Sequence, residues 1–280
     1  MAIHPRTEID STAKIADDAE IGPGVVIGRN ASIESGVELG PNVIIGPNTT
    51  IKKGARIFPG AIIGTEPQDY KYDGAETICE VGEESVIREY CTINRGTKAS
   101  GATIIGSRVF LMSYTHIAHD CRVGNHVVMA SGVAMGGHCT IEDYATLGGG
   151  AGLHQFLRVG TYAMVGGFAG MRKDAPPYML TAGSPPAKVH GLNTIGLKRA
   201  GIPIETRQLI RQAYRILYRS GINFHDGLSK IERDLDRTPE IEHIIEFFKT
   251  SKRGVSTGVK GFLLRGEEEK DESDSNAVEV

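Results

Sequence analysis

Aliphatic residues recur every six positions from Ile3 to Ile63, through Ile9, Ile15, Ile21, Ile27, Ile33, Leu39, Ile45, Ile51 and Ile57, without one failure. Neither a helix nor an ordinary strand produces that spacing, so the repeat constrains the architecture before any other feature does. The position two before each aliphatic is small or β-branched, as at Ala13, Ala19, Val25, Ala31 and Val37. Three after it stand Gly24, Asn30, Gly36, Asn42, Asn48, Gly54 and Gly60, residue types that tolerate positive φ. Each hexad is therefore a short strand and a corner. Three hexads close a triangular coil of eighteen residues, and successive coils pair as parallel strands roughly 4.8 Å apart. The period leaves the hand of the coil open, although the general preference for right-handed crossovers points to the right.

The register resumes at Val81, Ile87 and Ile93, then runs from Ile105 through Leu111, Ile117, Val123, Met129, Met135, Ile141, Leu147, Leu153, Val159 and Val165 to Met171. It fails at positions 69, 75 and 99, which predicts loops at about 65–79 and 94–103. Insertions into a solenoid project from one face and often carry function. All four cysteines, Cys79, Cys91, Cys121 and Cys139, occupy the small inward position, and no CxxC pair occurs. They read as packing residues with free thiols.

The hexads stop after Met171, and Asp174–Pro186 reads as an irregular exit. Helical periodicity follows, predicting helices over Glu205–Gly221, Ile222–Arg237 and Thr238–Ser251, with Pro239 suited to a first turn. The expected organisation is a β-helix over 1–190, a helical domain over 191–265 and a disordered acidic tail over 266–280. A net charge of −3 argues against nucleic acid as a partner. No apolar stretch is long enough for a membrane span. The opening MAIHPRTEIDS lacks a signal-peptide layout, so the expected location is the cytoplasm.

The register also locates a candidate site. Ile117, Met135 and Leu153 are eighteen apart and stack on one side of three coils, and His116, His119, His138 and His154 flank them. Four of the nine histidines thus gather at one corner, within a span of about 10 Å. His119 followed by Asp120 fits a general base with its orienting carboxylate. Neither Ser nor Cys is paired with it as a nucleophile, which favours direct attack of a substrate hydroxyl or amine on an acyl donor. Gly136-Gly137 on the next coil offers backbone N–H groups for an oxyanion. A zinc site built from histidines of neighbouring coils is the rival reading, and surface histidines without a role are the bland one.

The motifs HIAHDC (116–121), GGH (136–138), LHQF (153–156), MVGGFAGM (164–171) and PQDYKY (67–72), with the helical GLNTIGLKRAG (191–201), resemble the UDP-N-acetylglucosamine 3-O-acyltransferases of lipid A biosynthesis. The resemblance runs from about residue 3 to Gly254. It implies a mainly β fold, a left-handed parallel β-helix of hexapeptide repeats followed by a small α-helical domain, assembled as a homotrimer. The implied reaction moves an (R)-3-hydroxyacyl chain from acyl carrier protein to the sugar 3-hydroxyl, with no cofactor beyond the carrier's phosphopantetheine thioester. By the same resemblance His119 is the base, Asp120 its partner and Gly137 N–H the oxyanion donor. His116, His138, His154 and Gln155 hold substrates, Gln68, Asp69 and Lys71 contact the sugar nucleotide, and Asn193 and Arg199 lie near the nucleotide. Gly167 is the position that limits acyl length. The sequence departs from the family at Ile195 and Ala200, where a Glu and a second Arg are usual, which leaves a 3-amino sugar as an alternative acceptor. The carrier is acidic, and Lys198, Arg199, Arg207, Arg211, Arg215 and Arg219 offer a basic counterpart.

Other enzymes and scaffolds fit less well. The related N-acyltransferase has an additional N-terminal domain, whereas hexads here begin at residue 3. A coenzyme A-dependent acetyltransferase leaves the two insertions and the helical domain unexplained. A repeat scaffold needs a regular outward face, and the outward positions here are irregular.

Overall fold

The computed structural model describes residues 2–259, so the acidic segment 266–280 lies outside the described residues. Short strands stack into three sheets of eleven, nine and eight members, parallel except for the last strand of the first, one sheet per face of a prism. Register follows the hexads: Ile9 pairs with Ile27, Ile27 with Ile45, and Ile117 with Met135. Ile27, Ile45, Ile63, Ile93 and Ile117 form one inward column, each at most 1% exposed. Burying each such side chain contributes about 1.5–3 kcal/mol, and the column is continuous because every coil supplies one. The cysteines are free and buried within this core. Burial pushes the Cys79 thiol up to about 12 and Cys91 up to about 11, far from a reactive thiolate.

The breaks in register become excursions that leave the stack intact. Ile57 pairs with Ile87, thirty residues on, and Ile87 with Leu111, twenty-four on. The longer excursion connects strand Ile62–Thr65 to strand Ile78–Val81, and the shorter connects Thr92–Asn94 to Ala102–Ile105. Arg95 anchors the longer one from inside. Its guanidinium reaches the Tyr72 hydroxyl at 2.8 Å, the Gly64 carbonyl at 3.3 Å and Glu66 at 3.4 Å.

The corners hold positive φ at all seven Gly and Asn positions; Thr12 and Asp18 in the first coil are not left-handed, but many later corners whose residue is neither Gly nor Asn are. Tyr114, Asp120, His126, His138, Tyr144, Phe156 and Tyr162 all lie there. A left-handed conformation costs roughly 1–2 kcal/mol at such residues. Stacking between coils offsets part of it: His126 on Tyr144 and Tyr144 on Tyr162 at 4.7 Å, and His138 on Phe156 at 4.5 Å.

The exit is more regular than expected. Strand Met179–Ala182 extends the first sheet, but Val165 pairs with Thr181, sixteen residues on rather than eighteen. The shortened turn carries two adjacent prolines, Pro176 and Pro177, and hides the strand from a six-residue pattern. Lys188–Leu192 then folds back antiparallel. Four helices follow: α1 (Thr194–Arg199), α2 (Ile204–Arg219), α3 (Phe224–Asp234) and α4 (Pro239–Thr250). α2 buries Ile210, Ala213, Tyr214 and Leu217 on one face, and the Thr238 hydroxyl caps α4 ahead of Pro239. Residues 251–259 are not helical. They run back along the last coil, where the Asp174 N–H donates to the Gly254 carbonyl and the Ser256 N–H to the Asp174 carbonyl.

Candidate active site

His119 and Asp120 sit at the corner after strand His116–Ile117, with Asp120 at φ 61°. That backbone conformation turns the carboxylate back towards its neighbour, and His119 Nδ1 lies 2.8 Å from Asp120 Oδ2. Asp120 is enclosed, its side chain 0% exposed. It accepts hydrogen bonds from Thr97 N–H at 3.0 Å and Thr97 Oγ1 at 2.7 Å, and from both the N–H and the hydroxyl of Ser100. Burial alone would push its pKa up, but the bonds from Ser100, His119 and Thr97 win and hold it at about 2. The imidazole therefore faces a permanent anion, which sets Nδ1 as the protonated nitrogen and leaves Nε2 free to take a proton.

His138 closes the arrangement one coil on, its Nε2 3.6 Å from Asp120 and its ring edge-on to His119 at 5.2 Å. His116 Nδ1 pairs with Thr92 Oγ1 at 2.7 Å. Burial, with the nearby His119 second, lowers the His116 pKa and favours its neutral form. Gly137 packs directly on the His119 ring. A Cβ there would lie 2.7 Å from His119 Cε1 and 2.8 Å from Nε2. Its carbonyl accepts from Phe156, whereas its N–H has no acceptor among the described residues.

Two cavities meet at His119. One, about 500 Å³, lies under the long excursion and is lined by Gln68, Asp69, Lys71, His138 and Gln155 among others. The second, about 630 Å³, is a trough along the outer face of the second sheet. Its floor is the outward column His116, Ala134, Gly152 and Gly170, paired in register along the prism axis. Side chains shrink along that column, which leaves a groove running away from His119. His154 and Gln155 line this trough as well. Gly167 stands at a different corner and lines neither cavity, nor do Asn193 and Arg199. Asn193 caps α1 through Gly196 N–H and donates to the Tyr162 carbonyl, and Arg199 is exposed on that helix.

His119, Asp120 and His138 offer ligand atoms within 4.8 Å of one another, the geometric minimum for a metal. The donor set fits poorly. Asp120 already accepts five hydrogen bonds on two oxygens, which leaves it little lone-pair capacity for an ion.

A model of the bacterial transferase hexapeptide, six repeats long, matches residues 18–53 and 102–137. The second domain of UDP-N-acetylglucosamine O-acyltransferase matches 174–256. A protein of Syntrophobacter fumaroxidans named acyl-[acyl-carrier-protein]–UDP-N-acetylglucosamine O-acyltransferase is 44% identical over 91% of this chain and 99% of its own. The chain belongs to this acyltransferase family. A Chlorobaculum parvum member of the same name is 48% identical over 90% of this chain and 96% of its own. The LpxA structure from Acinetobacter baumannii superposes with a TM-score of 0.88 at 39% identity, covering 91% of this chain and 100% of that one. With these acyltransferases as structural relatives, the coil is a left-handed β-helix, against the general crossover preference.

Sequence reasoning missed the residues that make Asp120 a permanent anion. Thr97 and Ser100 lie in the second excursion, where the register fails at 99, one coil length before Ile117. That coincidence was the available signal. Thr103, whose hydroxyl accepts from the Asp120 N–H at 2.9 Å, was missed as well.

Proposed function

We propose that this chain transfers an (R)-3-hydroxyacyl group from acyl carrier protein to the 3-hydroxyl of UDP-N-acetylglucosamine, the entry to lipid A biosynthesis. The observation that carries the chemistry is the His119–Asp120 pair at 2.8 Å, backed by a carboxylate held at about 2. His119 Nε2 takes the hydroxyl proton as the oxygen attacks the thioester carbonyl, and Asp120 stabilises the imidazolium that forms. The Gly137 N–H, without an acceptor among the described residues, donates to the tetrahedral oxyanion. Collapse of that intermediate expels the pantetheine thiolate, which recovers the proton from His119.

Gln68, Asp69 and Lys71 hold the sugar nucleotide in the cavity beneath the excursion. His116, His154 and the trough receive the acyl donor, His138 and Gln155 close the wall between the two cavities, and Gly167 limits acyl length. Asn193 and Arg199, remote from His119 within one chain, act on the site of a neighbouring copy in a homotrimer. Arg207, Arg211 and Arg215 line one side of α2 and give the acidic carrier a docking face. The reaction needs no metal or dissociable cofactor. The proposed location is the cytoplasm; no helix among the described residues is long and apolar enough to cross a membrane.

The test is product analysis. Purified protein with (R)-3-hydroxyacyl carrier protein yields an ester on UDP-N-acetylglucosamine, identified by mass and by lability to mild base. A base-stable amide formed only with the 3-amino analogue transfers the mechanism to the other acceptor. Failure with both overturns the proposal.

A further inference from the structure

The trough that starts at His119 ends in a group of cations for which the reaction's proton chemistry has no use. Arg172 lines it directly, at the corner position one coil beyond His154. Lys173 follows at the position that His119, Gly137 and Gln155 occupy on earlier coils. The third cation comes from residues 251–259. The backbone pairing at Asp174 holds this segment against the last coil, and Gly254, at φ 73°, turns it there. A Cβ on Gly254 would approach Lys173 Nζ to 4.0 Å, so the chain passes close over that ammonium. One residue earlier, Arg253 Nη2 lies 3.1 Å from His154 Nδ1. That nitrogen is also 3.2 Å from the Gln155 carbonyl, but the guanidinium donor makes it an acceptor, which places the ring N–H on Nε2.

None of Arg172, Lys173 and Arg253 forms an ion pair among the described residues. The carboxylate that feels Arg253, Asp174, is 0% exposed and accepts instead from Ser251 Oγ at 2.6 Å and Arg158 N–H at 2.8 Å. With that buried carboxylate hydrogen-bonded to other donors, the three cations repel one another unless an anion joins them.

Resting on the acyl-transfer reading above, we infer that Arg172, Lys173 and Arg253, with His154 Nε2–H, form a phosphate subsite for the phosphodiester of the carrier's pantetheine arm. Two anions enter this site in the proposed reaction, and distance chooses between them. Lys173 is three coils from His119, roughly 14 Å. An extended pantetheine between thioester and phosphate has the length of about four extended residues, roughly 15 Å. A sugar diphosphate begins only a few bonds from the acceptor hydroxyl and falls short of the cluster. The groove floor of Ala134, Gly152 and Gly170 between base and cations suits a slender arm, and a Cβ on Gly152 would meet nothing within 4 Å.

The experiment compares phosphopantetheine with pantetheine, first as ligands by calorimetry and then as acyl donors. The wild-type protein binds the phosphorylated arm at least about tenfold tighter, the scale of one charge-assisted contact. Arg172→Gln and Arg253→Gln each remove most of that preference, Arg253→Lys restores part of it, and KM for the sugar nucleotide stays unchanged. Retention of the preference in both Gln variants overturns the subsite. A raised sugar-nucleotide KM with the preference intact assigns the cations to the diphosphate instead. Because calorimetry needs no turnover, an inactive wild type would sink the acyl-transfer reading and still leave this test standing; the subsite fails only if the phosphate preference is missing or insensitive to both Gln variants.

Discussion

Gly137→Ala isolates the placement of the His119 ring, the base of the proposed reaction. The new methyl would stand 2.7 Å from His119 Cε1, whereas carbon atoms rest at about 3.5–4.0 Å. The ring must therefore move by roughly 1 Å. Gly137 has no positive φ, so alanine strains no backbone, and the N–H offered to the oxyanion remains. A displacement of that size at a reacting group costs about 10²-fold in kcat, or roughly 2.7 kcal/mol of barrier. The ring is 13% exposed and can swing outward, so the stability cost is about 1 kcal/mol, a shift of a few degrees in Tm. The assay is steady-state transfer with a thermal melt of each variant. It is repeated with alanine at 137 added to His119→Ala, where no ring remains to be displaced and no further loss follows. Wild-type turnover in the single variant refutes the steric argument. A second, additive loss on the His119→Ala background would mean that the methyl blocks substrate rather than moving the base.

Other outcomes follow from the same geometry. Thr97→Val combined with Ser100→Ala removes the hydroxyl donors that hold Asp120 near 2. An Asp with a depressed folded pKa stabilises the fold above its ordinary value of about 3.8 and loses that contribution as pH falls towards 2. The double variant therefore loses about 2 kcal/mol at neutral pH and shows a flatter acid-unfolding profile between about pH 4 and 2. Asn42→Ala, at φ 58°, costs about 1 kcal/mol by thermal denaturation, and Asn42→Gly does not. Gly167→Met folds normally, because a Cβ there meets only Gly149 backbone atoms, at 3.4 and 4.0 Å. It shifts preference to shorter acyl chains in a competition among donors, and an unchanged preference removes Gly167 from the length assignment.

The prism was legible because its signal is one-dimensional: one aliphatic, one small residue and one corner per hexad, repeated until chance is excluded. The corners at Asp120 and His138 were harder to read. Their residue types carry no strong left-handed preference, and what sustains them is contact with the neighbouring coil, as when Phe156 stacks on His138. Period located the histidines for the same reason that it located the core. It touches Thr97 and Ser100 only through its own failure at 99, because their partner stands twenty or more positions away and is brought near by coil stacking. Arg253 was invisible for a related reason: residues 251–259 have no periodicity and take their place from pairing with Asp174 and Val189.

The most direct test of the central claim is the rate at which His119→Ala transfers acyl chains from (R)-3-hydroxyacyl carrier protein to UDP-N-acetylglucosamine, measured beside the wild type with both proteins shown to be folded. The account predicts robust wild-type transfer and a fall of at least about 10²-fold in kcat with little change in KM for either substrate. A variant that retains wild-type turnover would contradict it, because the proton would then leave the attacking hydroxyl without His119.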